Sequence, residues 1–63
     1  MVNLKKLRLE SGLSLRDLKN IVNIDISYLN LLERGERNNI SLNYALRLAD
    51  YFNVDVRDLL KEV

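Results

Sequence analysis

Between Ser14 and Gly35 the chain has room for two short helices and one tight turn. The Ser14 hydroxyl can cap a helix, and Asp17 three residues on completes a capping box. Leu18 and Val22 then fall on one face, and the helix is expected to end near Asn20 or Ile21. Asn23 is the expected turn residue, because asparagine tolerates the left-handed backbone region. Asp25 follows as an N-cap whose charge suits the helix dipole. In the second helix Leu29 and Leu32 point inward with Glu33 beside them. Ser27, Asn30, Leu31 and Arg34 take the opposite face, with Ile26 and Tyr28 on the flanks. The helix stops at Gly35, a left-handed C-cap, as an earlier helix stops at Gly12. This spacing is that of a helix-turn-helix.

Three more helices complete the reading. The first runs from about Asn3 to Ser11, with Leu4, Leu7, Arg8 and Ser11 on one face. After a polar loop, Glu36 to Asn39, the fourth starts at Ser41 and is expected to bury Leu42, Ala45, Leu46, Ala49 and Phe52. The fifth follows Asp55, with Asp58 in capping-box position and Val56, Leu59 and Leu60 apolar. No linker, low-complexity tract or internal repeat stands out. Residues 1–63 are therefore expected to form a single all-α domain of five helices with a central helix-turn-helix.

A domain of 63 residues buries only roughly 60% of its unfolded surface. With no cysteine there is no disulfide, and with no histidine either, an ordinary zinc site is excluded. Core packing must hold the fold, with dimerisation a further source of stability. No base or nucleophile of the histidine or cysteine kind exists, the carboxylates serve as caps or ion-pair partners, and no glycine-rich phosphate loop is present. An enzyme is not expected, nor a cofactor, metal or small-molecule effector. There is no long apolar run, and Met1-Val-Asn does not open a signal peptide, so a cytoplasmic protein without a membrane partner is expected. The net charge is only +1, so any basic surface for nucleic acid must be local.

Leu7-Arg8, Gly12-Leu13-Ser14, Leu18, Ile24, Ser27-Tyr28-Leu29, Leu32-Glu33-Arg34-Gly35, Ser41-Leu42, Leu48-Ala49 and Asn53-Val54 occur in a joint order that resembles the DNA-binding domain of phage lambda-type repressors and Cro proteins, the XRE family. The resemblance covers about Leu4 to Leu60. It implies a compact lambda-repressor-like domain that binds double-stranded DNA sequence-specifically as a transcriptional regulator, expected to be a repressor of phage-like or mobile-element type. In that family the residues matching Arg8 and Glu33 form a structural ion pair tying helix one to helix three, and both lie at the edges of the inward faces here. The base-facing positions map onto Ile26, Ser27, Tyr28, Asn30 and Leu31. Ser27 and Asn30 can hydrogen-bond base edges, Ile26 and Leu31 can pack on a thymine methyl, and Tyr28 suits a base or a phosphate. Phosphate contacts are expected from Ser14, Arg16, Lys19, Arg34, Arg37, Asn38, Asn39 and Ser41, with free N–H groups at the helix N-termini.

Such proteins usually read an inverted repeat as a homodimer, at least on DNA. Relatives of this size often dimerise through the loop that here holds Asn53, Val54, Val56 and Leu59. The other candidate is an outward stripe of Tyr44, Leu48 and Tyr51.

The sequence departs from the family pattern at Leu15, where many relatives have a glutamine, and at Lys19, where alanine is usual. Asn23 replaces a turn glycine, and Glu36 stands where a basic residue is common. Leu15, Ile26 and Leu31 would make the reading face unusually apolar. An apolar face of that kind suggests the alternative of a protein-interaction module on the same fold.

Overall fold

The computed structural model describes residues 2–37 and 39–60. Five helices follow in order: α1 (Val2–Glu10), α2 (Leu15–Val22), α3 (Ile26–Glu33), α4 (Leu42–Phe52) and α5 (Val56–Leu59). The described residues contain no strand.

Local chemistry sets the helix starts. Ser14 Oγ accepts from Asp17 N–H at 3.0 Å, and Asp17 Oδ2 accepts from Ser14 N–H at 3.0 Å, the expected reciprocal box. Asp25 caps α3 by accepting from Ser27 N–H at 3.0 Å, and Ser41 caps α4 by accepting from Tyr44 N–H at 3.2 Å. Asp55 caps α5 without Asp58: its carboxylate accepts from the Arg57 N–H at 2.8 Å and from the Arg57 guanidinium. Arg57, two residues past the cap, takes both carboxylate oxygens through its guanidinium.

The ends are set by residues with positive φ. Gly35 has φ 74°, with Gly35 N–H donating to Leu32 O and Glu36 N–H to Leu31 O, a Schellman motif. Asn23 (φ 57°) ends α2, extending it to Val22, slightly beyond the expected Ile21. Asn53 (φ 56°) ends α4 in the same way. The two turns share a phrase, Asn23-Ile24-Asp25-Ile26 and Asn53-Val54-Asp55-Val56, each an αL asparagine, an inward apolar residue, an N-cap aspartate and a half-buried apolar residue. Three residues further on, Leu29 and Leu59 are both fully buried. A short repeat is thus present after all, expressed as repeated turn geometry.

The core gathers Leu4, Leu18, Val22, Ile24, Leu29, Leu32, Leu48, Ala49 and Leu59. The phase expected for α4 is corrected. Leu42 is 69% and Leu46 43% exposed, whereas Leu48 is fully buried. The buried arc runs through Ala45, Leu48, Ala49 and the half-buried Phe52, a three-four spacing rotated away from Leu42. Apolar residues surround most of α4, so periodicity alone left its phase open. The contact between Tyr44 and Tyr28 of α3 accompanies the observed choice, with ring centroids 5.2 Å apart.

Arg8 and Glu33 close the bundle across α1 and α3. Arg8 Nε donates to Glu33 Oε2 at 2.7 Å and Nη2 to Oε1 at 3.0 Å, while Nη1 donates to Leu13 O at 2.8 Å. Both residues are 8% exposed. The hydrogen bond to Glu33 raises the guanidinium pKa still further, against the opposing effect of desolvation.

Candidate nucleic-acid interface

α2, the Asn23 turn and α3 pack against one another through Leu18, Val22, Ile24, Leu29 and Leu32. Burial of Leu29, Leu32 and Glu33 fixes the rotation of α3 about its axis. Of the expected base-facing residues, Ser27 is exposed, and Ile26, Tyr28, Asn30 and Leu31 are half-buried. The geometry therefore leaves Ser27 and Asn30 as polar groups on the outward side of the helix.

The candidate phosphate ligands fall into distinct situations. Arg16 and Lys19 are exposed on α2, and their side chains have no hydrogen bond or ion pair among the described residues. Ser14 and Ser41 use their hydroxyl oxygens as helix caps. Arg34 pairs with Glu36 at 3.0 Å, both exposed, so the pair adds little stability but lowers the local positive charge. Arg37 does not pair with its neighbour Glu36: its guanidinium lies over the Tyr28 ring, 4.4 Å from the centroid. Arg37 Nε also donates to Asn39 O at 3.2 Å, the carbonyl that accepts from the Tyr28 hydroxyl at 3.4 Å. Asn38 lies outside the described residues.

Arg47 is a site residue the sequence reading missed. Its Nη1 donates to Val22 O at 3.0 Å and Asn23 O at 3.3 Å, and its guanidinium lies 5.3 Å from the Tyr44 ring centroid. The last carbonyls of α2 need partners, and a cation from another helix suits both them and the dipole. The open carbonyls were foreseeable; which of ten basic residues would reach them was not.

The departures from the family pattern turn out to be mild. Leu15 is half-buried and packs on the core, and Lys19 is exposed. Leu15, Ile26 and Leu31 are absent from the exposed large apolar side chains, which are Leu9, Ile21, Leu42, Leu46, Tyr51 and Leu60. Only Ile21 of these belongs to the two helices, about 120° around α2 from Leu15. Of the apolar face expected from sequence, Leu15 is taken up against the core, while Ile26 and Leu31 stay half-buried on α3.

The dimer candidates need a larger correction. Leu59 is fully buried in the core, anchoring α5, and offers no surface to a second copy. Val54 and Val56 are half-buried against that core, and Asn53 is exposed. The alternative stripe is broken: Leu48 is fully buried, Tyr44 is half-buried against Tyr28, and only Tyr51 is exposed, edge-on to Phe52.

No group of potential metal ligands occurs among the described residues, and none of their helices is long and apolar enough to cross a membrane. A helix-turn-helix family matches residues 4–59. Over 60 residues the chain is 43% identical to an HTH-type transcriptional regulator, DdrOP3, from Deinococcus deserti. That match covers 95% of this chain and 46% of the relative, so the chain spans about half the relative's length. Among solved structures, the crystal structure of SinR, a master regulator for biofilm formation in complex with DNA, superposes with a TM-score of 0.87. The superposition covers 95% of both chains at 30% sequence identity.

Proposed function

The chain belongs to the XRE-type helix-turn-helix family, a family of transcriptional-regulator DNA-binding domains and not an enzyme class, and from that premise we propose that it binds double-stranded DNA with the outer side of α3 in the major groove. The observation that carries this is the rotation of α3. Leu29, Leu32 and Glu33 are locked inward, which leaves Ser27 and Asn30 to meet base edges. Asn30 offers the bidentate amide that suits adenine, Ser27 a hydroxyl that suits any base, and Ile26 and Leu31 apolar surface for a thymine methyl. Arg16, Lys19, Arg34 and Arg37 grip flanking phosphates, helped by Ser14, Asn39, Ser41 and the free N–H groups at the starts of α2 and α4.

The protein acts in the cytoplasm as a repressor, of phage-like or mobile-element type. It occupies an inverted-repeat operator as a homodimer, with half-sites about one helical turn apart. Asn53, Val54 and Val56 supply the contact between copies. The likeness to a DNA-bound regulator over nearly the whole chain supports this reading.

The test is selection from a random duplex pool, followed by titration of the enriched site. Asn30→Ala is expected to weaken the enriched site by roughly 1–3 kcal/mol while leaving mixed-sequence DNA nearly unaffected. Equal loss on both would refute base reading by Asn30, and failure of the folded protein to enrich any sequence would refute the function.

A further inference from the structure

Four side chains from three segments form a continuous ladder beside the turn. Arg37, in the α3–α4 loop, lies 4.4 Å from the centroid of the Tyr28 ring. That ring meets Tyr44 of α4 edge to face, at 5.2 Å and 83°. Arg47, one helical turn along α4, lies 5.3 Å from the Tyr44 ring and bonds the carbonyls of Val22 and Asn23. The ladder thus runs from the end of α2, through α4, to the first turn of α3, and ends on a cation.

Tyr28 sits one residue after Ser27 and is half-buried, with its ring occupied on two sides. Its hydroxyl makes only a long bond, 3.4 Å to Asn39 O, against about 2.7–2.8 Å for a well-made O–H···O bond. The ring therefore carries the interaction more than the hydroxyl does. Arg37 is fixed in three ways: its backbone N–H donates to Leu31 O at 3.2 Å within the Schellman turn, its Nε donates to Asn39 O at 3.2 Å, and its guanidinium rests on the ring. Among the described residues nothing takes its Nη groups.

We propose that Tyr28 is a positioning residue rather than a base reader: its ring, braced by Tyr44 and Arg47, holds Arg37 at the edge of the α3 reading face, where the guanidinium takes a backbone phosphate. The proposal rests on the DNA-binding reading above. A guanidinium preorganised on an aromatic face has less conformational freedom to lose when it binds. The contribution is independent of sequence, since phosphates carry no base information.

The experiment uses the full chain and a short mixed-sequence duplex, titrated over a series of salt concentrations, with Tyr28→Phe, Tyr28→Leu, Arg37→Gln and the Tyr28→Leu/Arg37→Gln double variant. Thermal melts establish that each is folded. NMR of the free proteins reads the ring-current shift of the Arg37 side-chain protons. Tyr28→Phe is expected to keep the shift, the affinity and the salt slope of the parent. Tyr28→Leu is expected to lose the shift and to lower the slope of log K against log salt by roughly 0.9, the value for one phosphate. Arg37→Gln should lower the slope equally, and the double variant no further. A loss of binding in Tyr28→Phe would overturn the proposal in favour of a hydroxyl contact, and additive losses in the double variant would overturn the coupling. A parent protein with the ring-current shift but no salt-dependent duplex binding would refute the DNA reading itself and Arg37's phosphate role with it. Duplex binding without the shift would refute the ladder alone.

Discussion

Removing the Glu33 side chain tests the ion pair that joins α1 to α3. In Glu33→Ala, Arg8 loses two short charge-assisted bonds, at 2.7 and 3.0 Å, and keeps only the one to Leu13 O. With 8% of its surface exposed, the guanidinium has little water to replace them. Breaking a buried pair from one side costs about 3–5 kcal/mol. At about 0.05–0.15 kcal/mol per residue, a chain of 63 residues holds only about 3–9 kcal/mol in all. The substitution should therefore remove about a third or more of the stability. At about 4 °C or more per kcal/mol for a domain of this size, the midpoint should fall by at least about 12 °C.

Urea and thermal unfolding followed by circular dichroism would measure this, with a double-mutant cycle to isolate the coupling. The paired variant Arg8→Met/Glu33→Leu should recover most of the loss, because apolar groups of similar volume leave no charge stranded. A cost below about 1 kcal/mol for Glu33→Ala would refute the burial argument. So would a paired variant as unstable as the sum of the two single changes.

Further outcomes follow from the caps and the core. Gly35→Ala should cost about 1–2 kcal/mol in urea unfolding, because φ 74° is unfavourable for a residue with a Cβ and nothing within 4 Å of that Cβ adds a clash. Gly35→Asn should cost less, as Asn23 and Asn53 already occupy that region. Leu48→Ala should cost about 2–5 kcal/mol, while Leu42→Ala, at a 69% exposed site, should stay within about 0.5 kcal/mol; the reverse order would refute the observed phase of α4. Asp17 and Asp55 titrate below their ordinary values, Asp17 through its bond from the Ser14 backbone N–H and Asp55 through its bond from Arg57. A depressed carboxylate contributes stability that is complete above its unfolded pKa, near 4, and is lost as pH falls through the lower folded value. Protection factors of the amides in the first turns of α2 and α5, taken relative to the intrinsic exchange rate at each pH, should thus fall below about pH 4, and unchanged protection there would count against both caps.

The elements most legible in the sequence were those written in local chemistry. Ser14 with Asp17, Asp25, Ser41 and the two glycines each specify a cap through their own neighbours, so helix boundaries needed little knowledge of the rest of the fold. The repeated Asn-apolar-Asp-apolar turn is equally local, but its two copies share only the asparagine and the aspartate, with Ile24 and Ile26 standing against Val54 and Val56. The rotation of α3 was legible because Leu29 and Leu32 take the three-four spacing of an inward stripe and the family resemblance pairs the neighbouring Glu33 with Arg8. The rotation of α4 was not, because Leu42, Leu46, Leu48 and Tyr44 offer apolar surface on several sides, and packing against α2, α3 and α5 made the choice. The burial of Leu59 was not legible for the same reason: a leucine on a short helix reads alike whether it faces the core or a partner. The ladder of Arg37, Tyr28, Tyr44 and Arg47 joins residues up to nineteen apart through contacts that no spacing rule foresees.

The basic residues bear on why two copies would act together. Arg8 is committed to Glu33, Arg57 to Asp55, Arg34 in part to Glu36, and Arg47 to the carbonyls that end α2. Lys5 and Lys6 lie on α1, outside the two-helix unit. Around the proposed reading face this leaves Arg16, Lys19 and Arg37 as the cations without an acidic partner among the described residues. Three unpaired cations correspond to a salt slope of only about 2.7, and two copies on one operator to about 5.4, with Arg34 adding to either only as far as Glu36 releases it. A single copy would thus gain little from the phosphates and would depend on Ser27 and Asn30 for most of its selectivity. Doubling the contacts on an inverted repeat raises affinity and selectivity together, without requiring a more basic surface that would bind any duplex.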